Sequence, residues 1–255
     1  MKWFTRKKEQ EVTLASLDAA RMPRHVAVIM DGNGRWAQKR GMPRSAGHRA
    51  GVEALRRVIR FCGDAGVEVL SLYAFSTENW QRPADEVNTL MKLLIEYFNS
   101  EIDELDRNGA RIVVMGRRDN IPEAVREAIA RAERRTQGNG GIVVNIAFNY
   151  GAREEIVLAC RALARQVAQG KIAPEDIDEA RFAQHLYSAG LPDPDLIVRT
   201  SGEQRLSNFL LYQSAYAEFA FPTVLWPDIK EQDLAALFLA FQKRERRFGG
   251  LRAKR

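Results

Sequence analysis

Six short runs rich in Val, Ile, Leu and aromatic residues punctuate the chain, at residues 25–30, 67–75, 111–115, 142–148, 196–198 and about 216–221. Each is too short for a typical helix and nearly free of polar positions, the pattern of strands buried on both faces. Between them the apolar spacing lengthens. Val52, Leu55, Ile59 and Cys62 recur every three or four residues across 48–62, and Leu90, Leu93, Leu94, Tyr97 and Phe98 do so within 84–105. Residues 122–132, 153–169 and 229–241 also read as helices. Strands alternating with amphipathic helices predict an α/β fold: a single open, mostly parallel β-sheet of about six strands flanked by helices. There is no internal repeat, and the Gly-rich stretch 137–141 and the Pro-containing stretch 191–195 are too short for interdomain linkers. The pattern therefore predicts one domain over 21–250, a flexible basic segment over 1–20 and a basic tail over 251–255.

Composition narrows the function without choosing it. The chain has 255 residues, 45% hydrophobic and 28% charged, enough for a packed core and against global disorder. No stretch of about 18 apolar residues could cross a bilayer, and no apolar run follows Arg6, Lys7 and Lys8 to form a signal-peptide core. A soluble cytoplasmic protein is expected, touching the inner face of the membrane only transiently, through Trp3, Phe4 and the basic residues beside them. The formal charge of +6 suits an anionic partner. Its wide spread along the chain argues against nucleic acid, leaving phosphorylated molecules and membrane surfaces. Cys62 and Cys160 lack metal-ligand spacing and fall in apolar helical patterns, so both read as reduced core thiols.

In open α/β sheets ligands bind beyond the carboxyl ends of strands. The first strand runs into Asp31, Gly32, Asn33, Gly34, Arg35 and Trp36. Glycines let backbone N–H groups approach an anion, Arg35 offers a fork of donors, and Asp31 suits a hard cation. A tight polar turn with a solvated arginine is the alternative. The segment lacks the lysine of a phosphate-binding P-loop and the ligand spacing of an EF-hand. Arg44 and His48 follow at a helix start and could extend an anion site, or His48 could be a simple cap. The second strand leads into Ser76, Thr77, Glu78, Asn79, Trp80 and Arg82. A capping turn explains Thr77 and Glu78 equally well, but not Asn79, Trp80 and Arg82 together. The fifth strand ends in Arg199, Thr200, Ser201, Gly202 and Glu203, with Arg205, Leu206, Ser207 and Asn208 beyond, a second candidate diphosphate pocket. Glu218 stands in an apolar run, where a buried carboxylate needs a cation.

In order and spacing, D-G-N-G-R-W, F-S-T-E-N-W-x-R-P, R-T-S-G-E-x-R-x-S-N-F-L and the run from Glu218 to W-P-D resemble the cis-prenyltransferases of the undecaprenyl diphosphate synthase type, over about residues 25–250. Ser201 departs from the common form, which has Gly. The resemblance implies a homodimer with an apolar tunnel, and an Mg²⁺-dependent transferase that adds isopentenyl diphosphate in cis to an allylic diphosphate. It implies a long-chain product, undecaprenyl diphosphate from a farnesyl primer, used as a cell-wall lipid carrier. A shorter or differently primed product is the first alternative, and a non-catalytic partner subunit of the same fold the second. It assigns Asp31 and Glu218 to the metal, with Glu218 open to contribution across the dimer. It places the allylic diphosphate near Gly32, Asn33, Gly34, Arg35, Trp36, Arg44 and His48. Isopentenyl diphosphate falls near Arg199, Arg205, Leu206 and Ser207, with Arg247 on a closing tail. Ser76, Thr77, Glu78, Asn79, Trp80 and Arg82 fall on a mobile loop, and proton removal is associated with Asn79. A carboxamide is a very poor base, so Asn79 is expected to position groups while a diphosphate oxygen takes the proton. Ala74, Leu90, Leu93, Leu94 and Ile142 are expected in the tunnel. The all-helical trans-prenyltransferase fold is excluded, because no D-D-x-x-D motif occurs.

Overall fold

The computed structural model describes residues 12–244. Trp3, Phe4, the basic residues beside them and Arg247 lie outside this range. Six strands form one sheet in the order β3-β4-β2-β1-β5-β6, and every pairing is parallel. They are β1 (His25–Ile29), β2 (Val69–Ser76), β3 (Arg111–Met115), β4 (Val143–Tyr150), β5 (Leu196–Arg199) and β6 (Glu218–Ala220). The helices are α1 (Asn33–Gln38), α2 (Arg44–Asp64), α3 (Ala84–Arg107), α4 (Glu123–Thr136), α5 (Ala152–Ala168), α6 (Glu179–Ala183) and α7 (Glu231–Gln242). From β1 the chain passes to β2 on one side and later reaches β5 on the other. That reversal opens a crevice at the carboxyl ends of β1 and β5, where Ile29 pairs with Arg199.

Alternation along the strands divides the core into two layers. Val26 and Val28 of β1, Leu70 and Leu72 of β2 and Ile146 of β4 face the layer that also holds α2, α3, α4 and α7 residues. Ala27, Ile29 and Ala147 face the layer that includes Tyr150, Ala152, Phe209 and Leu210. A buried polar line crosses three strands. The Nδ1–H of His25 donates to the Pro192 carbonyl at 2.6 Å, so its Nε2 accepts from the Ser71 hydroxyl at 2.7 Å, and Asn145 Nδ2 donates to that hydroxyl at 2.8 Å. Burial pulls the His25 pKa below the ordinary range, consistent with a neutral ring.

Four features differ from the sequence expectation. The glycine-rich stretch after β1 is not only a loop but the short helix α1, entered through Gly32 at φ 114°. A second short helix, α6, starts at Asp178, whose side chain accepts the Arg181 N–H. Cys160 is exposed and only Cys62 is a core thiol. The apolar neighbours of Cys160 misled, because Val157 and Leu158 on α5 are themselves exposed. Residues 12–20, expected to be flexible, form two 3₁₀ turns against the domain. There the Gln242 carboxamide donates to Asp18 O at 2.8 Å and accepts from Asp18 N at 3.2 Å.

α1 sits where it does because α2 presents no side chain to it at Gly47. A Cβ at Gly47 would stand 2.0 Å from the Asn33 carbonyl oxygen, and that oxygen is backbone and cannot move aside. Gly63 lies on the same helix with its nearest neighbour 3.9 Å away. Gly47→Ala is therefore expected to destabilise the protein by at least about 1–3 kcal/mol through overpacking. Gly63→Ala should stabilise it by roughly 0.5–1 kcal/mol through helix propensity. Denaturant titration of both variants checks this, and equal shifts would show that α1 can retreat from α2.

Candidate active site

A cavity of about 850 Å³ opens at the carboxyl ends of β1, β2 and β5. Its polar lining comes from Asp31, Gly32, Asn33, Gly34, Arg35, Arg44, His48, Ser76, Glu78, Asn79, Arg82, Arg199 and Ser207. Its apolar lining comes from α2, α3, β2 and β4: Val52, Leu55, Leu72, Ala74, Leu90, Leu93, Leu94, Tyr97, Ile146 and Phe148.

Asp31 stands between two guanidiniums. Its Oδ2 accepts from Arg199 Nη2 at 2.8 Å and its Oδ1 from Arg35 Nη2 at 3.0 Å. Thr200 Oγ1 donates to the Asp31 carbonyl at 2.6 Å and fixes the turn. Partial burial alone would raise the Asp31 pKa, but the two arginines together outweigh it and hold the carboxyl below its ordinary value. Arg199 is only 5% exposed and also donates to Arg205 O at 2.5 Å and Ser207 Oγ at 2.7 Å. The two expected pockets thus share one wall, because the arginine of the β5 cluster and the arginine of the β1 turn grip the same carboxylate.

A second acid, Glu86 in the first turn of α3, gathers three cationic or titratable groups. Arg82 Nη1 lies 3.0 Å from its Oε1, Arg44 Nε 3.3 Å from its Oε2, and His48 Nε2 3.6 Å from its Oε1. Burial and the nearby arginines outweigh Glu86 and pull the His48 pKa below the ordinary range. The sequence reading missed Glu86. The signal was present in the Arg82–Glu86 spacing of i,i+4 across a helix start.

The segment after β2 is a 3₁₀ turn, Thr77–Gln81, tied at several points. The Ser76 N–H donates to Asn79 Oδ1 at 3.1 Å, Trp80 Nε1 to Asn149 Oδ1 at 2.8 Å, and Asn208 Nδ2 to Glu78 Oε1 at 2.8 Å. Asn79 Oδ1 accepts the Ser76 N–H, which sets the direction of the carboxamide beside the cavity that Asn79 lines.

Several expected residues do not line the cavity. Trp36 Nε1 donates instead to Asp228 at 2.7 Å, with Arg40 stacked 4.1 Å over the ring. Thr77 and Trp80 face a separate hollow with Arg117, Asn120, Asn149 and Glu154. Arg205 is exposed and pairs with Glu203, and Leu206 packs against the second core layer. Ile142 begins the β4 side of the sheet at the wrong end, and Ile146, on the same face four residues later, takes its place. Glu218 opens β6 beside Leu196, at the amino end of the strands, and pairs with Arg244 at 2.5 Å. One chain therefore does not bring Glu218 to Asp31.

No group of three or more His, Cys, Asp or Glu side chains among the described residues could cage a metal. Asp31 alone still fits Mg²⁺, which takes one or two carboxylates and completes its shell with water and substrate phosphates. The surrounding donors are anion-binding guanidiniums, the setting in which such a shared ion is held.

The all-parallel six-stranded sheet with flanking helices is the fold of solved prenyl diphosphate synthases. Residues 29–249 match the family model of undecaprenyl diphosphate synthase, and the chain belongs to that family. An isoprenyl transferase of Clostridium perfringens is 49% identical over 250 residues, covering 98% of this chain and 99% of the relative. One of Brucella abortus is 53% identical over 229 residues, covering 90% of each. Among solved structures, lavandulyl diphosphate synthase of Lavandula x intermedia in complex with dimethylallyl diphosphate superposes with a TM-score of 0.87 at 38% identity, over 90% of this chain and 99% of that one.

Asp31→Asn keeps the shape and removes the charge. It is expected to lower stability at pH 7 by about 1–3 kcal/mol, less than a fully buried pair because the Asp31 side chain is 25% exposed. A depressed folded-state pKa means that this contribution is present above the unfolded carboxyl value of about 4. It is lost as pH falls through the folded value. Denaturant titrations of both proteins from pH 7 downward should show the gap closing in acid. A gap independent of pH would mean that the Asp31 charge is not what the arginines hold.

Proposed function

We propose that the protein condenses isopentenyl diphosphate in cis onto an allylic diphosphate, with Mg²⁺, to make a long-chain polyprenyl diphosphate. The observation that carries this is the continuity of a mouth lined by Arg35, Arg44, His48, Arg82 and Arg199 with an apolar cavity between α2, α3 and the sheet. The mouth suits two diphosphates, and the cavity suits a growing hydrocarbon worth about 0.8 kcal/mol for each CH₂ buried. Bound Mg²⁺ would neutralise charge on the departing diphosphate. Arg35, Arg44 and Arg82 donate to the diphosphate oxygens, and a neutral His48 can donate through one ring nitrogen. The allylic C1–O bond breaks with its electrons leaving on the diphosphate. The isopentenyl double bond then forms the new carbon–carbon bond, and a proton from the adjacent carbon passes to a diphosphate oxygen. Asn79 holds the reacting groups through its NH₂ donor.

The product proposed is undecaprenyl diphosphate, primed by farnesyl diphosphate and serving as a cell-wall lipid carrier, with a shorter or differently primed product as the alternative. Incubating the protein with labelled isopentenyl diphosphate and primers of several lengths, then sizing the products, decides between long and short. No incorporation with any primer would overturn the proposal.

The assembly and location proposed are a cytoplasmic homodimer that touches membrane transiently. β6 is an edge strand, and Tyr216 beside it is 69% exposed, a face suited to a second copy. Such a copy is the way for Glu218 to reach an Asp31. No helix of the described residues is long and apolar enough to cross a membrane. Deleting residues 1–11, rather than 1–20, is expected to weaken binding to anionic vesicles and to spare turnover, because residues 12–20 are built into the domain.

Asn79→Ala is expected to lower kcat by a factor of about 10² through lost positioning. Asn79→Asp places a negative charge beside diphosphate and should be worse than the alanine variant. Rates at saturating substrate decide the matter: an aspartate variant as active as the parent would favour direct proton abstraction at this position.

A further inference from the structure

The turn after β5 contains a residue in a conformation it does not favour. Ser201 has φ 72° and ψ 12°, the left-handed region, which is strained for a residue with a Cβ. The backbone there is held by Ser201 N donating to Val224 O at 2.7 Å and Gly202 N donating to Pro222 O at 2.9 Å. Glycine would occupy this position without strain. What serine adds is a hydroxyl, and Ser201 Oγ accepts from Arg35 Nη2 at 2.6 Å. The same Nη2 donates to Asp31 Oδ1 at 3.0 Å, and Nη1 donates to Glu203 Oε1 at 2.9 Å. Glu203 is a poor anchor by itself, since its other oxygen is engaged by Arg205. Arg35 still has a side chain 42% exposed, so its guanidinium is fixed in direction while remaining accessible at the cavity.

We propose that Ser201 is a positioning residue: backbone strain at this turn is retained because the hydroxyl aims Arg35 at the allylic diphosphate. The inference rests on the proposed reading of the cavity as a diphosphate site. An arginine pre-set in direction loses less rotamer freedom on binding, so its release should appear as weaker ground-state binding.

Ser201→Gly relieves the strain and removes the hydroxyl. Ser201→Ala removes the hydroxyl and keeps the Cβ. The glycine variant is expected to melt higher than the parent, and the alanine variant no higher than the parent. Both should raise KM for the allylic diphosphate roughly 3- to 10-fold, with the change falling on KM rather than kcat. Both should also weaken binding of inorganic diphosphate, measured by calorimetry, by a similar factor. A residue serving the turn alone would give a higher melting point for the glycine variant with diphosphate binding unchanged in both, and that result overturns the proposal. If the parent condenses no isoprenoid substrate, the reading of function fails. The calorimetric comparison with inorganic diphosphate then still decides whether Ser201 aims Arg35.

Discussion

Asp31 is a carboxylate held between two guanidiniums, and much of the crevice is arranged around it. Arg199 is almost wholly buried at the end of β5, and without a partner its charge would be costly. Arg35 reaches the same carboxylate from α1, and Thr200 secures the Asp31 carbonyl. The Trp226 N–H also donates to that carbonyl, at 3.0 Å, which fastens the segment after β6 beneath the site. Electrostatics therefore join β1, β5 and α1 at a point where the parallel sheet leaves a gap. Under the proposed activity an arriving diphosphate competes with Asp31 for the same arginines. The resting site is already organised for a polyanion because it holds an anion of its own.

Glu86 repeats the device on the opposite side of the mouth. It draws Arg44, His48 and Arg82, from two separate elements, to one carboxylate that is largely shielded from solvent. Cations clustered without such a carboxylate would repel one another and their side chains would spread into solvent. The arrangement spends stability on local charge and in return keeps donors from α2 and the post-β2 turn within reach of a single ligand. The apolar wall behind them carries no comparable polarity, so the change from ionic mouth to hydrocarbon cavity is abrupt.

The strands were legible because burial on both faces leaves each as a short, nearly unbroken apolar run, too short to be a typical helix. Asp31, Arg35, Asn79, Arg82 and Arg199 were legible because they lie at or just beyond the carboxyl ends of strands in a parallel sheet, whereas Glu86, inside the first turn of α3, was not. Position along a strand was harder. Ile142 and Ile146 share a face of β4, and only three-dimensional depth separates the one that lines the cavity from the one that does not. Glu218 and Asp31 both adjoin apolar runs, but one begins its strand and the other follows its strand, so they lie at opposite ends of the sheet. α1 escaped notice because six residues containing Gly34 carry no periodic signal, and its position comes from contact with α2. Ser201 stood out in the sequence only as a departure from Gly, since a sequence does not display the sign of φ.

The absence of a side chain at Gly47 bears on how loss-of-function surveys of this protein are interpreted. Saturation mutagenesis scored by growth or turnover would rank this position with Asp31, since every replacement pushes on the Asn33 carbonyl and through it on the turn that carries Arg35. Gly47 nevertheless lies outside the lining of the cavity. Intolerance there reports the steric footing of the site and not its chemistry. A map of essential positions would include a layer of silent spacers one step behind the reacting groups, separable from them only when protein abundance is measured alongside activity.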